Sequence, residues 1–384
     1  MSFSRSMDFA SFFRRGFSTS TTTRSGVKTG LLMLNMGGPQ NAAEVHPFLL
    51  RLFSDREIIK LPVQSVLGPW IAKRRAPSIA QKYAEIGGGS PILQWTDKQG
   101  KLLCDKLDKI CPESGPHKHY VGFRYTPPLT EHALDAMIAD GIEHAVAFSQ
   151  YPQYSCATSG SSFNAIYNYM KNKTDGKMKW SLIDRWGTNR FLAKTFATLI
   201  RGELEKCDEV TRKNIVLLFT AHSLPMKAVE RGDPYPAEVG ATVQLVMEEL
   251  KFAYPYRLVW QSKVGPLPWL SPATDAAIES YVKRGKKHLM LIPIAFTSEH
   301  IETLHELDIE YKELAEKAGV EKLLRCPAPN DNSVFIDALV DVVGKHLGEK
   351  RAVPPQYLLR CPMCENQTCG EARAFYKKNA FEFA

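Results

Sequence analysis

The chain has 384 residues, 44% of them apolar, and carries 49 Lys and Arg against 41 Asp and Glu, a net charge of +8. That length suits two domains of ordinary size, with ample apolar content for their cores. Basic residues are scattered, no helix-turn-helix, zinc-finger or RNP pattern occurs, and no apolar run nears the roughly 18 residues of a membrane span; nucleic acid is not an expected partner, and any membrane association would be peripheral.

Residues 1–26 read as a mitochondrial transit segment. Arg5, Arg14, Arg15 and Arg24 face a single acid, Asp8, serine and threonine are dense from Ser18 to Ser25, and Phe9, Phe12, Phe13 and Phe17 supply an apolar face. Arg15-Gly16-Phe17-Ser18 resembles a matrix-protease cleavage site. Beyond it, strand-like runs are expected at Lys28–Met36, His119–Tyr125, Ala145–Gln150, Lys179–Ile183, Asn214–Thr220, Arg257–Gln261, His288–Ile294 and Lys322–Cys326. Asn41 with Glu44 forms a capping-box-like helix start, followed by Val45, Phe48, Leu49 and Leu52 at helical spacing. Further helices fit Leu129–Asp140, Ser161–Lys171, Arg190–Lys206, Ala237–Ala253, Ala273–Arg284, His300–Ala318 and Val334–Leu347.

This alternation predicts an α/β fold with parallel sheets. Eight strands suit a closed barrel or two four-stranded halves. A long irregular insertion from Ser54 to Ile92, without a counterpart in the second half, favours two unequal lobes with a cleft between them. The expected division is an N-terminal lobe over residues 27–186, a C-terminal lobe over 187–330, and a helix with a cysteine-rich tail over 331–384. In the insertion, Leu61, Val63, Val66, Leu67, Trp70 and Ile71 precede Lys73, Arg74 and Arg75, which suits either a packed loop or a lip facing lipid headgroups or a ligand.

Three constellations carry chemistry. His222, in Thr-Ala-His-Ser-Leu-Pro-Met, follows an apolar run where a strand should end, and ligand crevices of open α/β sheets lie at carboxyl strand ends. Glu299, Glu302, Glu306 and Glu310 would share one stripe of an α-helix beside His300, either as a solvated acidic face or as a row passing cations or protons. Cys361, Cys364 and Cys369 can wrap one metal centre but need a further ligand from elsewhere, with Cys104, Cys111, Cys156, Cys207 and Cys326 as candidates. Asn35–Pro39 lacks both the third glycine of a dinucleotide fingerprint and a P-loop lysine.

Taken together, these segments resemble the ferrochelatases, which close haem synthesis. The resemblance covers nearly all of residues 30–369 and rests on ten ordered matches. They are LNMGGP (34–39), FLLRLFSDR (48–56), IAKRRAP (71–77), GGGSPI (87–92), VGFRYTPPLTE (121–131), QYPQYSC (150–156), AHSLPM (221–226), RGDPYP (231–236), LVWQSKVGPLPWL (258–270) and PIAFTSEHIETLHELDIEY (293–311). It implies two similar Rossmann-like lobes, each a four-stranded parallel sheet flanked by helices, around a cleft in which Fe²⁺ enters protoporphyrin IX and two protons leave. It also implies that His222 takes pyrrole protons, that Glu302 faces it with His300 alongside, and that Glu306 and Asp308 extend a metal path. Met36, Arg124, Tyr125, Tyr151, Trp260 and Trp269 match the porphyrin pocket, and Arg75, Ser90 and Ser262 match the propionate contacts.

By the same resemblance, Cys156, Cys361, Cys364 and Cys369 would hold a 2Fe-2S cluster, the chain would form a homodimer, and the lip would dock it on the matrix side of the mitochondrial inner membrane. Two departures stand out. Gly187, Asn189 and Arg190 replace a proline and paired histidines of many relatives, and Ser78 replaces a lysine frequent in animals. The alternatives are a chelatase for another tetrapyrrole, or a porphyrin or haem carrier or iron–sulfur sensor without turnover.

Overall fold

The computed structural model describes residues 29–173 and 177–383. The transit reading of residues 1–26 lies outside them. The eight expected strands are present, each within two or three residues of its expected bounds: β1 (Thr29–Asn35), β2 (His117–Phe123), β3 (His144–Ser149), β4 (Lys179–Ile183), β5 (Val216–His222), β6 (Tyr256–Gln261), β7 (His288–Pro293) and β8 (Lys322–Arg325). They form two four-stranded sheets, ordered β2-β1-β3-β4 and β6-β5-β7-β8, and every pairing is parallel. The closed-barrel alternative is therefore excluded.

Strand alternation explains the layering. Leu31 of β1 and Leu217, Phe219 and Ala221 of β5 enter one large core shared by the two sheets. Leu32 and Leu34 face the outer layer of the first sheet, and Val216 and Leu218 that of the second. Because central strands are covered on both faces, they read as unbroken apolar runs.

Helices fill these layers: α1 (Ala42–Ser54), α2 (Gln64–Glu85), α3 (Ile92–Ile110), α4 (Thr130–Ala139), α5 (Ser161–Met170), α6 (Arg190–Glu205), α7 (Glu209–Asn214), α8 (Met226–Glu230), α9 (Tyr235–Glu249) and α10 (Thr274–Lys283). A π-helix (Glu302–Glu310) then runs into α11 (Tyr311–Ala318), followed by α12 (Ser333–Gly348), α13 (Pro355–Leu358) and α14 (Gln367–Lys378). The Asn41 side chain accepts from Ala43 and Glu44 N–H, as the capping motif demands, while Glu44 reaches back one residue further, to Gln40 N–H at 3.0 Å.

Two expectations need correction. The insertion over 54–92 is not irregular, since most of it is α2, which contains Pro69 and Pro77. An internal proline costs a helix about 3 kcal/mol, but α2 recovers this by packing on α1, where Val45, Phe48, Phe53, Ala72 and Tyr83 form a separate core. Gly68 permits the approach, since a Cβ there would lie 2.8 Å from the Phe53 carbonyl oxygen. The helix expected over His300–Ala318 is π-wound in its first half. Beyond the cysteines the tail also packs, since α14 buries Ala372 and Tyr376 in the outer core of the first sheet.

After α14 the backbone runs along the exposed edge of β4. Trp180 N–H donates to Asn379 O at 2.9 Å and Phe381 N–H to Trp180 O at 2.8 Å, and the Phe381 ring stacks on His144 with centroids 3.7 Å apart. Among the described residues no helix is long and apolar enough to cross a membrane.

Candidate active site

Parallel α/β sheets place ligands at the carboxyl ends of their strands, and β5 ends on His222. At the end of β5, His222 Nδ1 lies 2.7 Å from the Ser223 carbonyl oxygen. That nitrogen therefore carries the hydrogen, which leaves Nε2 as an acceptor. Nε2 lies 3.7 Å from Glu302 Oε1. The other oxygen of Glu302 is 2.7 Å from His300 Nε2, and His300 Nδ1 is 2.9 Å from Ser298 O.

With an acceptor at each ring nitrogen, His300 is an imidazolium. Burial opposes that charge, but the hydrogen bond and charge of Glu302 outweigh it and raise the imidazole pKa. For Glu302 burial acts upward, yet His300, and then His222, prevail and hold the carboxyl down at about 2. The site thus pairs a fixed ion pair with a histidine whose Nε2 faces the same carboxylate.

The other carboxylates do not share a stripe with Glu302. Winding of i to i+5 rather than i to i+4 displaces successive side chains around the axis. Glu299 and Asp308 both turn to Arg325, with Asp308 meeting its Nε at 2.7 Å and its Nη2 at 2.6 Å. Glu310 pairs with Lys82 on α2 and lies 3.6 Å from His305 Nδ1. Glu306 accepts from Ser262 N–H at 2.8 Å, the Ser262 hydroxyl, Gln261 Nε2 at 3.0 Å and Tyr311 OH at 3.1 Å. Four donors saturate its oxygens. Glu306 and Asp308 are therefore not brought together into a lane.

The residues matched to the porphyrin pocket divide between the sheets: Met36, Arg124, Tyr125 and Tyr151 follow strands of the first, whereas Trp260 lies on β6 beside β5 and Trp269 bridges Pro225 just after β5. Arg124 Nη2 and Tyr125 OH both donate to Asp55 Oδ2, at 2.5 and 2.7 Å, and Tyr125 N–H donates to Met36 O at 3.1 Å. Tyr151 follows β3 at the same level, and its phenol is pushed up by burial. Trp260 is buried beside Tyr235, with ring centroids 6.0 Å apart. The Trp269 indole N–H is buried without a partner among the described residues. Ser90 is buried under the first loop, where its N–H donates to Pro39 O. Arg75 projects from α2 over the Phe53 ring at 5.8 Å. Ser262 closes β6 with φ +63°, a left-handed conformation that Glu306 holds from both its N–H and its hydroxyl.

Three residues were not anticipated. Asp55 fixes Arg124 and Tyr125. Tyr83 and Tyr235 are buried, and the charge of Glu302 adds to burial in pushing their phenols up. Tyr235 lies inside RGDPYP and was legible there; Tyr83 gave no signal because α2 was not expected. At the altered Gly187–Arg190 segment, Asn189 caps α6 and donates to Asp341 Oδ2 at 2.7 Å.

All eight cysteines are free. Cys156 Sγ and Cys361 Sγ are 3.8 Å apart. Their mutual hydrogen bond raises the Cys156 thiol, with burial adding to it, and lowers that of Cys361. Cys369 is buried and accepts from Asn164 Nδ2 at 3.2 Å; half-buried Cys364 lies 3.8 Å from Asn366 O. Among the described residues no three His, Cys, Asp or Glu converge on one ion position.

The Ferrochelatase family model matches residues 28–347. The chain is 60% identical over 353 residues to the mitochondrial ferrochelatase of Drosophila melanogaster, covering 91% of this chain and 92% of that protein. It is 54% identical over 352 residues to the mitochondrial ferrochelatase of Homo sapiens, covering 91% and 83%. Among solved structures, the sirohydrochlorin chelatase SirB from Bacillus subtilis subspecies spizizenii in complex with cobalt matches with a TM-score of 0.47 at 10% identity, over 83% of this chain and 95% of that one. A family match across both sheets, with more than half of the residues shared along nine tenths of the chain, leads to one conclusion: the chain belongs to the ferrochelatase family.

Proposed function

We propose that the chain inserts Fe²⁺ into protoporphyrin IX to form haem, with release of two protons, in the cleft at the carboxyl ends of the two sheets. The observation that carries the reading is His222, whose Nδ1–H is committed to Ser223 O and whose free Nε2 stands 3.7 Å from a carboxylate anchored by His300. His222 takes a pyrrole proton, and Glu302 stabilises the charge that forms on it. Met36, Arg124, Tyr125, Tyr151, Trp260 and Trp269 line the flat apolar face of the macrocycle, and Arg75, Ser90 and Ser262 meet its propionates. Glu306 then acts by holding Ser262 rather than by ligating iron, since its oxygens are already filled.

Cys156, Cys361, Cys364 and Cys369 would hold a 2Fe-2S cluster. Two thiolates on one tetrahedral centre with metal–sulfur bonds of about 2.3 Å stand about 3.8 Å apart, which is the Cys156–Cys361 separation. A two-iron cluster takes its cysteines two per iron, so a close pair, and not a trio around one ion, is the arrangement that favours it. When bound, the cluster would supply a one-electron redox centre and a cross-link. These residues tie the tail to the first lobe.

Mitochondrial placement follows the leader composition and the relatives' names. Docking on the matrix face of the inner membrane is supported by Val63, Val66 and Trp70, exposed at 68%, 61% and 56% at the head of α2 with Lys73, Arg74 and Arg75 behind them; the homodimer rests on the family resemblance alone. The deciding experiment is anaerobic Fe²⁺ insertion into protoporphyrin by the purified chain, followed optically, with Zn²⁺ as the oxygen-tolerant substitute. Multiple turnovers are expected; stoichiometric porphyrin binding without turnover would refute the assignment.

A further inference from the structure

One helix joins the cysteine tail to the porphyrin side of the cleft. α5 opens directly after the turn that carries Cys156. Its first residue, Ser161, accepts from Arg124 Nε at 3.1 Å. Three residues on, along the same face, Asn164 is 2% exposed and its Nδ2 donates to both Cys369 Sγ at 3.2 Å and Glu57 Oε1 at 2.9 Å. Glu57 Oε1 also accepts from Asn366 Nδ2 at 3.4 Å, and Lys60 pairs with Glu365 at 3.1 Å. Three links thus run from the base of the lip to the cysteine loop.

The same short segment reaches the cleft on its other side. Asp55 is the carboxylate that holds Arg124 and Tyr125, and its Oδ1 accepts from Glu57 N–H at 2.8 Å. Glu57 Oε2 is buried and meets no partner among the described residues, so the two asparagines are what fix this carboxyl. A buried, partly satisfied polar network contributes little stability compared with an apolar replacement. What it provides is position.

We propose that Asn164 and Glu57 are positioning residues through which the cysteine tail fixes Asp55 and Arg124, and so sets how firmly the cleft holds its porphyrin. This rests on the porphyrin reading given above. It makes the cluster site a determinant of substrate affinity without placing it on the path of protons or iron. Loss of tail order would leave His222, Glu302 and His300 in place while loosening the opposite wall.

The test is a titration of protoporphyrin, followed by porphyrin fluorescence. It compares the cluster-loaded full chain with Glu57→Ala, with Cys361→Ser plus Cys364→Ser, and with the combination. Glu57→Ala and the cysteine pair are each expected to weaken binding about tenfold, the scale of one buried hydrogen-bonded link. The combination should be no weaker than either alone, because both cut one path. Glu57→Gln, which keeps the acceptor, should restore binding. Asn164→Leu should leave the visible absorbance of the cluster intact and move its reduction potential downward, since it removes an N–H donated to sulfur. If Glu57→Ala does not accumulate as folded protein, Asn164→Leu is titrated in its place against the same expectations. Unchanged affinity in a variant that melts like the unaltered chain, or effects that add, would overturn the proposal. Failure of the unaltered chain to bind protoporphyrin would instead overturn the reading of the cleft.

Discussion

Replacing Glu302 by glutamine keeps the shape of the side chain and removes its charge. The Glu302 carboxyl is held from an ordinary 4.5 down to about 2, which corresponds to about 3 kcal/mol of net interaction with its surroundings. Most of that comes from His300 and a smaller part from His222, the group whose charge grows as a pyrrole proton arrives. The share felt in the transition state is then between one and two factors of ten, at about 1.4 kcal/mol each. Glu302→Gln should therefore lower kcat for Zn²⁺ or Fe²⁺ insertion by ten- to a hundredfold. Porphyrin affinity should stay within about twofold, because the lost term is charge stabilisation and not ground-state contact. Steady-state chelation at saturating porphyrin gives the first quantity and fluorescence titration the second. Unchanged kcat, or a loss of affinity matching the loss of kcat, would refute the reasoning.

His222→Ala should retain porphyrin binding and lose at least about a hundredfold in turnover, the usual effect of removing a general base; near-normal chelation would remove His222 from that role. Burial holds His144 at about 3 and His346 at about 4. Both fall below the unfolded value of about 6.5, so the unfolded chain binds protons the folded one refuses, and stability present above that value is lost as pH falls. Between pH 7 and 5 this costs about 2 kcal/mol for each histidine; urea melts should show His144→Phe losing that much less than the unaltered chain, and equal slopes would contradict it. Val66→Glu with Trp70→Glu should abolish co-sedimentation with anionic vesicles, whereas undiminished sedimentation would move the membrane contact elsewhere.

The central strands were legible because they are buried on both faces and bounded by turns, so composition alone marks them. α2 was not, because Pro69 and Pro77 suggest a break that packing against Phe53 and Ala72 overrides. α3 escaped notice for a different reason: several of its buried positions are Thr96, Gln99 and Gly100, which blur an apolar period. His222 could be placed at a strand end from sequence alone, but its tautomer could not, since that depends on the carbonyl of Ser223. The acidic stripe misled because it presumed 3.6 residues per turn from Glu299 onward, whereas Glu299 lies ahead of the helix and pairs with Arg325, and Glu302, Glu306 and Glu310 sit in a π-wound segment.

The pairing of Asn379–Phe381 with the edge of β4 bears on the order in which the molecule can be completed. Trp180 and Ala380, two hundred positions apart, form a bridge. Ribosomes, and the translocation pores that some leaders address, deliver a chain from its amino end. The first sheet is then threaded early and must wait, with one edge unpaired, until almost everything else has emerged. An unpaired edge is a template for other strands. During that interval the edge of β4 stands open, and a truncation before Asn379 would leave Trp180 without both of its edge partners.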